Sequence, residues 1–199
     1  MLSGNGLLTP LQKDILGLFA QLPDQDQFYL TGGTALAEYY LGHRLSFDLD
    51  LFTGQVGLIQ PMSYQLEQRC AAHGLQVTVT RRFASYAEFV IARGEASVKV
   101  DLALDSPFRF EPSVISVQGV LVNDYLDIKV DKLLAYYGRA EPRDAVDLYW
   151  FAIALNRSAS FPDEPERWPV TMLTPWEPKQ LKDSFQRLAL ELMDQITRC

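Results

Sequence analysis

Leu30-Thr31-Gly32-Gly33-Thr34, joined by a short segment to Arg44-Leu45-Ser46-Phe47-Asp48-Leu49-Asp50-Leu51-Phe52, is the stretch that decides the fold. Phe28-Tyr29-Leu30 reads as a short apolar strand running into a Gly-Gly turn. Thr34 to Leu41 reads as a helix that Gly42 stops. Phe47 to Phe52 alternates, with apolar residues at 47, 49, 51 and 52 and acids at 48 and 50, which is strand periodicity. Strand, glycine turn, helix and acidic strand together predict a mixed α/β unit with a polar site on one sheet face.

The same residues carry candidate chemistry. Two glycines between a strand and a helix let backbone amides approach a ligand without Cβ interference. A helix start adds unpaired N–H groups and partial positive charge, which suits a triphosphate. Gly32, Gly33 and Thr34 are therefore candidate nucleotide-binding residues, although Gly-Gly alone is more often a plain tight turn. Asp48 and Asp50, two apart on a strand, project to one side with Cα atoms roughly 6.5–7 Å apart. Like charges that close call for a cation, and Mg²⁺ favours a few carboxylates plus phosphate oxygens. A bare Asp-x-Asp would read as a solvated face. A third acid changes that balance: in Val98-Lys99-Val100-Asp101-Leu102-Ala103-Leu104 the valines and leucines share one face, and Asp101 points to the other. Paired beside 47–52, this strand would complete a metal triad of Asp48, Asp50 and Asp101. Asp105 competes for the third place, but its position before Pro107 favours a turn. Arg44 can grip phosphate oxygens in a fork and Ser46 can donate to them. His43 reads as a residue at the helix C-terminus, with a role as base as the sharper alternative.

Outward from this stretch, 8–21 and 61–73 read as helices, and 75–82, 84–93, 97–104 and 117–122 as strands, with a hairpin at Gly94. The periodicity then becomes helical over 124–137, 143–155 and 178–197, with a proline- and tryptophan-bearing connection over 156–178. The order is a mixed α/β half followed by a helical half.

Gly32-Gly33-Thr34-Ala35-Leu36 with Arg44-x-Ser46-x-Asp48-x-Asp50-Leu51-Phe52 resembles the first motif of AbiEii/AbiGii-type nucleotidyltransferases, toxins of toxin–antitoxin and phage-defence systems in the polymerase-β-like superfamily. Asp101 matches the second motif. Asp131-Lys132-Leu133-Leu134-Ala135 with Arg139, then Pro142-Arg143-Asp144-Ala145-Val146-Asp147-Leu148-Tyr149, match the third and fourth. Each motif alone is weak, whereas four in order across 28–152 are specific. The resemblance implies an α+β polymerase-β-like core, a twisted mixed sheet flanked by helices, over 1–122, and a helical part over 123–199 that completes the cleft. It implies catalytic Asp48, Asp50, Asp101, Lys132 and Asp147. Lys129, one turn from Lys132, and Asp144, one turn before Asp147, remain alternatives at those positions, and an Arg143–Asp144 ion pair between helices is the plain structural reading. The resemblance further implies Mg²⁺ (or Mn²⁺), an NTP donor, an RNA acceptor such as tRNA or a protein acceptor, and a cognate antitoxin.

Composition sets bounds. The chain has 199 residues, just under half of them apolar, enough for one domain or a core with a helical extension. Its net charge of −7 argues against a general nucleic-acid binder; Arg81, Arg82, Arg93 and Lys99 collect on the strands after the acidic motif and read first as a solvated sheet face, with a local surface for an acidic acceptor as the sharper alternative. Two cysteines, Cys70 and Cys199, form no CxxC pair, so neither zinc nor a disulfide framework is expected. No leader and no apolar run of about 18 residues is read, so no membrane partner is expected and a cytoplasmic setting fits. A haloacid-dehalogenase-like phosphatase lacks its threonine after the acids here. An Asp-x-Asp glycosyltransferase leaves Gly32-Gly33 and Lys132/Asp147 unused. The remaining alternative is the same fold kept as a silent NTP- or protein-binding module.

Overall fold

A computed structural model of the protein describes residues 1–139 and 141–155; the expected helix over 178–197 and the connection over 156–178 lie outside the described residues. Helix α1 (Pro10–Phe19) opens with a capping box: Thr9 and Gln12 exchange side-chain and backbone hydrogen bonds, and proline takes the first turn, where its missing N–H costs nothing. Strand β1 (Tyr29–Thr31) passes straight into α2 (Gly32–Leu36), with no separate turn. The expected single helix to residue 41 is instead α2 followed by one π-helical turn, Ala37–Leu41, and Gly42 ends it in the left-handed region at φ 63°.

Strand β2 spans Leu49–Thr53, α3 Ile59–Ala72, β3 Gln76–Arg82, β4 Tyr86–Arg93 and β5 Ala96–Leu104. The hairpin between β4 and β5 turns at Gly94, φ 61°, as read from the sequence. Two two-residue strands follow, β6 (Val114–Ile115) and β7 (Leu121–Val122), then α4 (Tyr125–Arg139) and α5 (Pro142–Leu155). The sequence missed β6 and read β7 four residues too long at its start. The expected strand at 47–52 begins only at Leu49, which leaves Asp48 on the approach to β2 rather than on the strand.

The described strands form one mixed sheet in the order β3-β4-β5-β2-β1-β7-β6, with β2–β5 and β1–β7 parallel and the other pairs antiparallel. On one face Leu49, Leu51, Val100 and Leu102 are fully buried and join α1 and α3 residues such as Ile15, Phe19, Ile59 and Leu66 in a single core. Each such side chain contributes about 1.5–3 kcal/mol by burial. Strand alternation sends the intervening residues, Asp50 and Asp101, to the opposite face, beneath α2 and α4. The parallel register makes Asp50 and Asp101 direct partners.

Candidate active site

The acidic face floors a cavity of about 470 Å³ between the sheet, the start of α2 and the helices α4 and α5. Gly32, Gly33, Arg44, Ser46, Asp48, Asp50, Asp101 and Lys132 all line it, so eight of the sequence candidates from four separate stretches meet there. Thr34, Lys129, Asp144 and Asp147 do not line it. Thr34 is buried, and its hydroxyl donates to the carbonyl of Asp48. The Lys129 amine stacks 4.6 Å from the Tyr125 ring.

Both glycines are required by what stands beside them. Gly32 has φ 70°, and a Cβ there would collide with the Asp50 carboxylate. A Cβ on Gly33 would collide with the Arg44 guanidinium. The segment between the π turn and β2 holds Arg44, Ser46 and Asp48 without regular structure. It is fixed by side chains: Gln12 donates to the Ser46 carbonyl at 3.0 Å, and Thr34 holds the Asp48 carbonyl.

Asp147, on α5, is the hub behind the cavity. It is fully buried and accepts from Arg44 Nε at 2.6 Å and Nη2 at 2.8 Å and from His43 Nε2 at 2.7 Å, and Lys132 Nζ lies 2.8 Å away. Burial alone would raise this carboxyl, but Lys132, Arg44 and the hydrogen bonds hold it well below the usual aspartate range. As a carboxylate it can only accept, so His43 donates from Nε2. Burial lowers the His43 imidazole, with Asp147 only partly opposing. His43 is thus a neutral buried support rather than a helix-end cation or a cavity base. Burial opposes the charge on Arg44 too, yet Asp147, Asp144 and Asp48 raise its pKa above the ordinary value. Asp144, also fully buried, takes a second contact with Lys132 at 3.2 Å. The sequence placed Asp147 among the groups that do chemistry; it stands behind the cavity wall, in contact with one cation from the irregular segment and one from α4 that line it. The expected Arg143–Asp144 pair is replaced: Arg143 meets Glu141 at 2.7 Å and Asp48 at 3.5 Å.

The three acids differ in their surroundings. The Asp50 carboxyl is pushed up to about 6, first by burial and then by the charges of Asp101 and Asp48. Asp101 contacts Lys99 Nζ at 2.8 Å and the Tyr86 hydroxyl at 3.1 Å. Oxygen-only donors suit a hard divalent cation, and crowded anionic oxygens are what such an ion relieves. They are not drawn into a closed cage, however. Among the described residues no three Asp, Glu, His or Cys side chains stand close enough to share an ion.

The structure adds residues that the sequence left without a place in the site. Asp131 lines the cavity, accepts from Asn123 at 3.3 Å and is pushed up to about 6 by burial and by Asp105. Asp105, set aside as a turn residue, does lie just past β5, yet it lines the cavity, held by Tyr29 at 2.8 Å and Arg109 at 2.7 Å. Glu88 faces Asp101 across β4 and β5. Hydrogen bonds from Thr80 and Tyr86, and then Lys99, hold its carboxyl near 2. Its place on an alternating strand beside Asp101 was the available signal. The four basic residues of β3 to β5 divide: Arg82 pairs with Glu67 of α3 and Arg93 with Asp14 of α1, on the helix-covered face, and of the four only Lys99 lines the cavity.

A family profile described as nucleotidyl transferase AbiEii toxin of type IV toxin–antitoxin systems matches residues 14–161. The chain belongs to this family. It is therefore an AbiEii-type nucleotidyltransferase, and the matched span takes in every described motif above. The fold is similar to that of MenT4, a nucleotidyltransferase toxin from Mycobacterium tuberculosis, with TM-score 0.65 and 17% identity over 92% of this chain and 82% of that one. It is similar to a putative nucleotidyltransferase from H. pylori, with TM-score 0.52 and 21% identity over 73% of this chain and 69% of that one. It is also similar to JHP933 from Helicobacter pylori, with TM-score 0.53 and 21% identity over 71% and 63% of the two chains. At these identities the likeness speaks for the α+β fold that the AbiEii chain shares with them. No curated protein matches it in sequence. No helix among the described residues of this AbiEii chain is long and apolar enough to cross a membrane.

Proposed function

We propose that the chain transfers a nucleoside monophosphate from an NTP to a hydroxyl on RNA, such as a tRNA, or on a protein, as the toxin of a toxin–antitoxin pair held in check by a cognate antitoxin in the cytoplasm. The observation that carries this reading is one cavity holding glycines at a helix start, two aimed cations and neighbouring carboxylates. Gly32 and Gly33 let Asp50 and Arg44 stand close against the start of α2, where the metal and the phosphates would lie. Arg44 and Lys132 neutralise triphosphate charge, held in place from behind by Asp147. Asp50, Asp101 and Asp48 would hold the metal. A divalent ion there, magnesium or manganese, would neutralise phosphate charge and acidify the attacking hydroxyl. The acceptor hydroxyl gives up its proton to a cleft carboxylate or to water, its oxygen forms the new bond to the α-phosphorus, the bond from the α-phosphorus to the bridging oxygen breaks, and pyrophosphate leaves with that bond's electrons. Charge that grows on the phosphate oxygens in the transition state is met by cations already oriented.

The test is transfer of α-labelled NTPs, one base at a time with Mg²⁺, to total cellular RNA and to protein, with Asp50→Ala as control. Label lost in the variant is the expected result and names donor and acceptor class. Mg²⁺-dependent NTP binding without label would favour the silent binding module. Equal labelling by the variant would overturn the metal assignment.

A further inference from the structure

Lys99 lines the cavity, but its amine is engaged by acids of the sheet. Nζ lies 2.8 Å from Asp101 Oδ2 and 3.3 Å from Glu88 Oε2. The register explains this. Glu88 and Asp101 are direct partners across β4 and β5. Lys99 precedes Asp101 by two residues on the same face, so one flexible amine reaches both carboxylates. The Tyr86 hydroxyl touches the same pair, 3.0 Å from Glu88 Oε2 and 3.1 Å from Asp101 Oδ1. It carries one proton and donates to one acid at a time. A second arrangement is therefore close at hand, with the amine on Glu88 and the hydroxyl on Asp101.

An ammonium group and a divalent cation compete for the same charge on Asp101. We propose that Lys99 is a switchable counter-cation, which neutralises Asp101 in the metal-free chain and shifts onto Glu88 when a divalent ion binds. The proposal rests on the metal-dependent reading above. It gives Glu88, which has no place in the transfer chemistry, a role as the parking site for the amine. It also accounts for the open arrangement of the three carboxylates, since Asp101 already holds a positive charge. Lys99 is in these terms a positioning residue that sets the ion concentration at which the site fills.

The test is Mn²⁺ binding to the full nucleotide-free chain, followed by electron paramagnetic resonance, with thermal melts to verify folding. Lys99→Met should tighten binding about three- to tenfold, and Lys99→Gln should do the same, as expected for removing one competing, partly exposed ion pair. Glu88→Gln should weaken binding by a similar factor, because the amine loses its alternative. The deciding comparison is the Lys99→Met/Glu88→Gln double variant, where Glu88→Gln should have no further effect. Equal weakening in both backgrounds would mean that Glu88 acts only as background charge, and would overturn the proposal. So would unchanged affinity in both Lys99 variants. Wild-type binding indifferent to Asp50→Asn would instead overturn the metal reading itself, and this proposal with it.

Discussion

Gly32 and Gly33 do different jobs although they are neighbours, and substitution disturbs each by its own route. Gly32→Ala places a Cβ against Asp50 and strains a left-handed residue, a cost of about 1–2 kcal/mol. Gly33→Ala leaves the backbone unstrained but pushes on Arg44, which Asp147 prevents from moving freely. Both should lower transfer at least about tenfold, in line with what a displaced catalytic group costs. Both should also lower the melting temperature, Gly32→Ala through backbone strain and Gly33→Ala through the displaced Arg44–Asp147 pair, which thermal melts beside labelled-NTP kinetics would check. The lysine pair is a second case. Lys132→Ala should raise the KM for NTP or reduce kcat strongly, while Lys129→Ala, which removes a stacking contact outside the cavity, should act mainly on stability. Kinetics of the two variants checks this, and the reverse pattern would mean the wrong lysine faces the phosphates. At this scale the sequence was informative where geometry is local: strand alternation put Asp50 and Asp101 on the face opposite Leu49 and Val100. It could not separate Lys129 from Lys132, because residues three apart on a helix lie on adjoining faces and only the packing of α4 decides which one meets the cleft.

At the scale of elements, α5 matters through one side chain. Asp147 neutralises cations from two other segments inside the protein, so Asp147→Asn leaves Arg44 and Lys132 buried with too little negative charge. Breaking such a buried pair costs about 3–5 kcal/mol. Asp48→Asn, by contrast, loosens a partly exposed contact with Arg143 and should change stability by about 1 kcal/mol or less. Urea unfolding of both variants tests this, and equal losses would show that the hub does not carry α5. The sequence located α1, α3, α4 and α5 and the long strands β3 to β5 within a few residues, because each has enough length for its period to show. It missed β6 and misjudged the starts of β2 and β7, since two- and five-residue strands are set by the neighbours they pair with. The π turn at 37–41 was equally invisible, as a widened turn leaves no mark in apolar spacing.

Over the whole molecule, ionisation should set how stability varies with pH. Asp50 and Asp131 both titrate near 6 in the fold, against about 4 in an unfolded chain. Between those values the folded state holds more protons than the unfolded one, so stability falls as pH rises through about 4 to 6. Asp147 runs the other way, with its contribution lost only in strong acid, as pH falls through its depressed value. Asp50→Asn should therefore stabilise the metal-free chain by about 1–3 kcal/mol at pH 7.5 and by almost nothing at pH 4. Mg²⁺ with NTP should raise the melting temperature of the wild type more at pH 7.5 than at pH 5, where the ion must displace a proton. Thermal melts across pH check both, and a Mg²⁺ effect independent of pH would remove Asp50 from the ion's surroundings. The fold class was legible from the order of its motifs, whereas the state of the cleft was not, because strand alternation gave the face of Glu88 but not its partners, and Tyr86 and Asp105 act through cross-strand and loop contacts. The Asp147 clamp has one more consequence, for timing. A ribosome makes the glycines and the three cleft acids first and the clamp residue much later, so a growing or prematurely terminated chain carries the acids without its two cations aimed. On the proposed mechanism such a fragment would lack the aimed cations that transfer needs, and transfer would begin only once synthesis has passed α5.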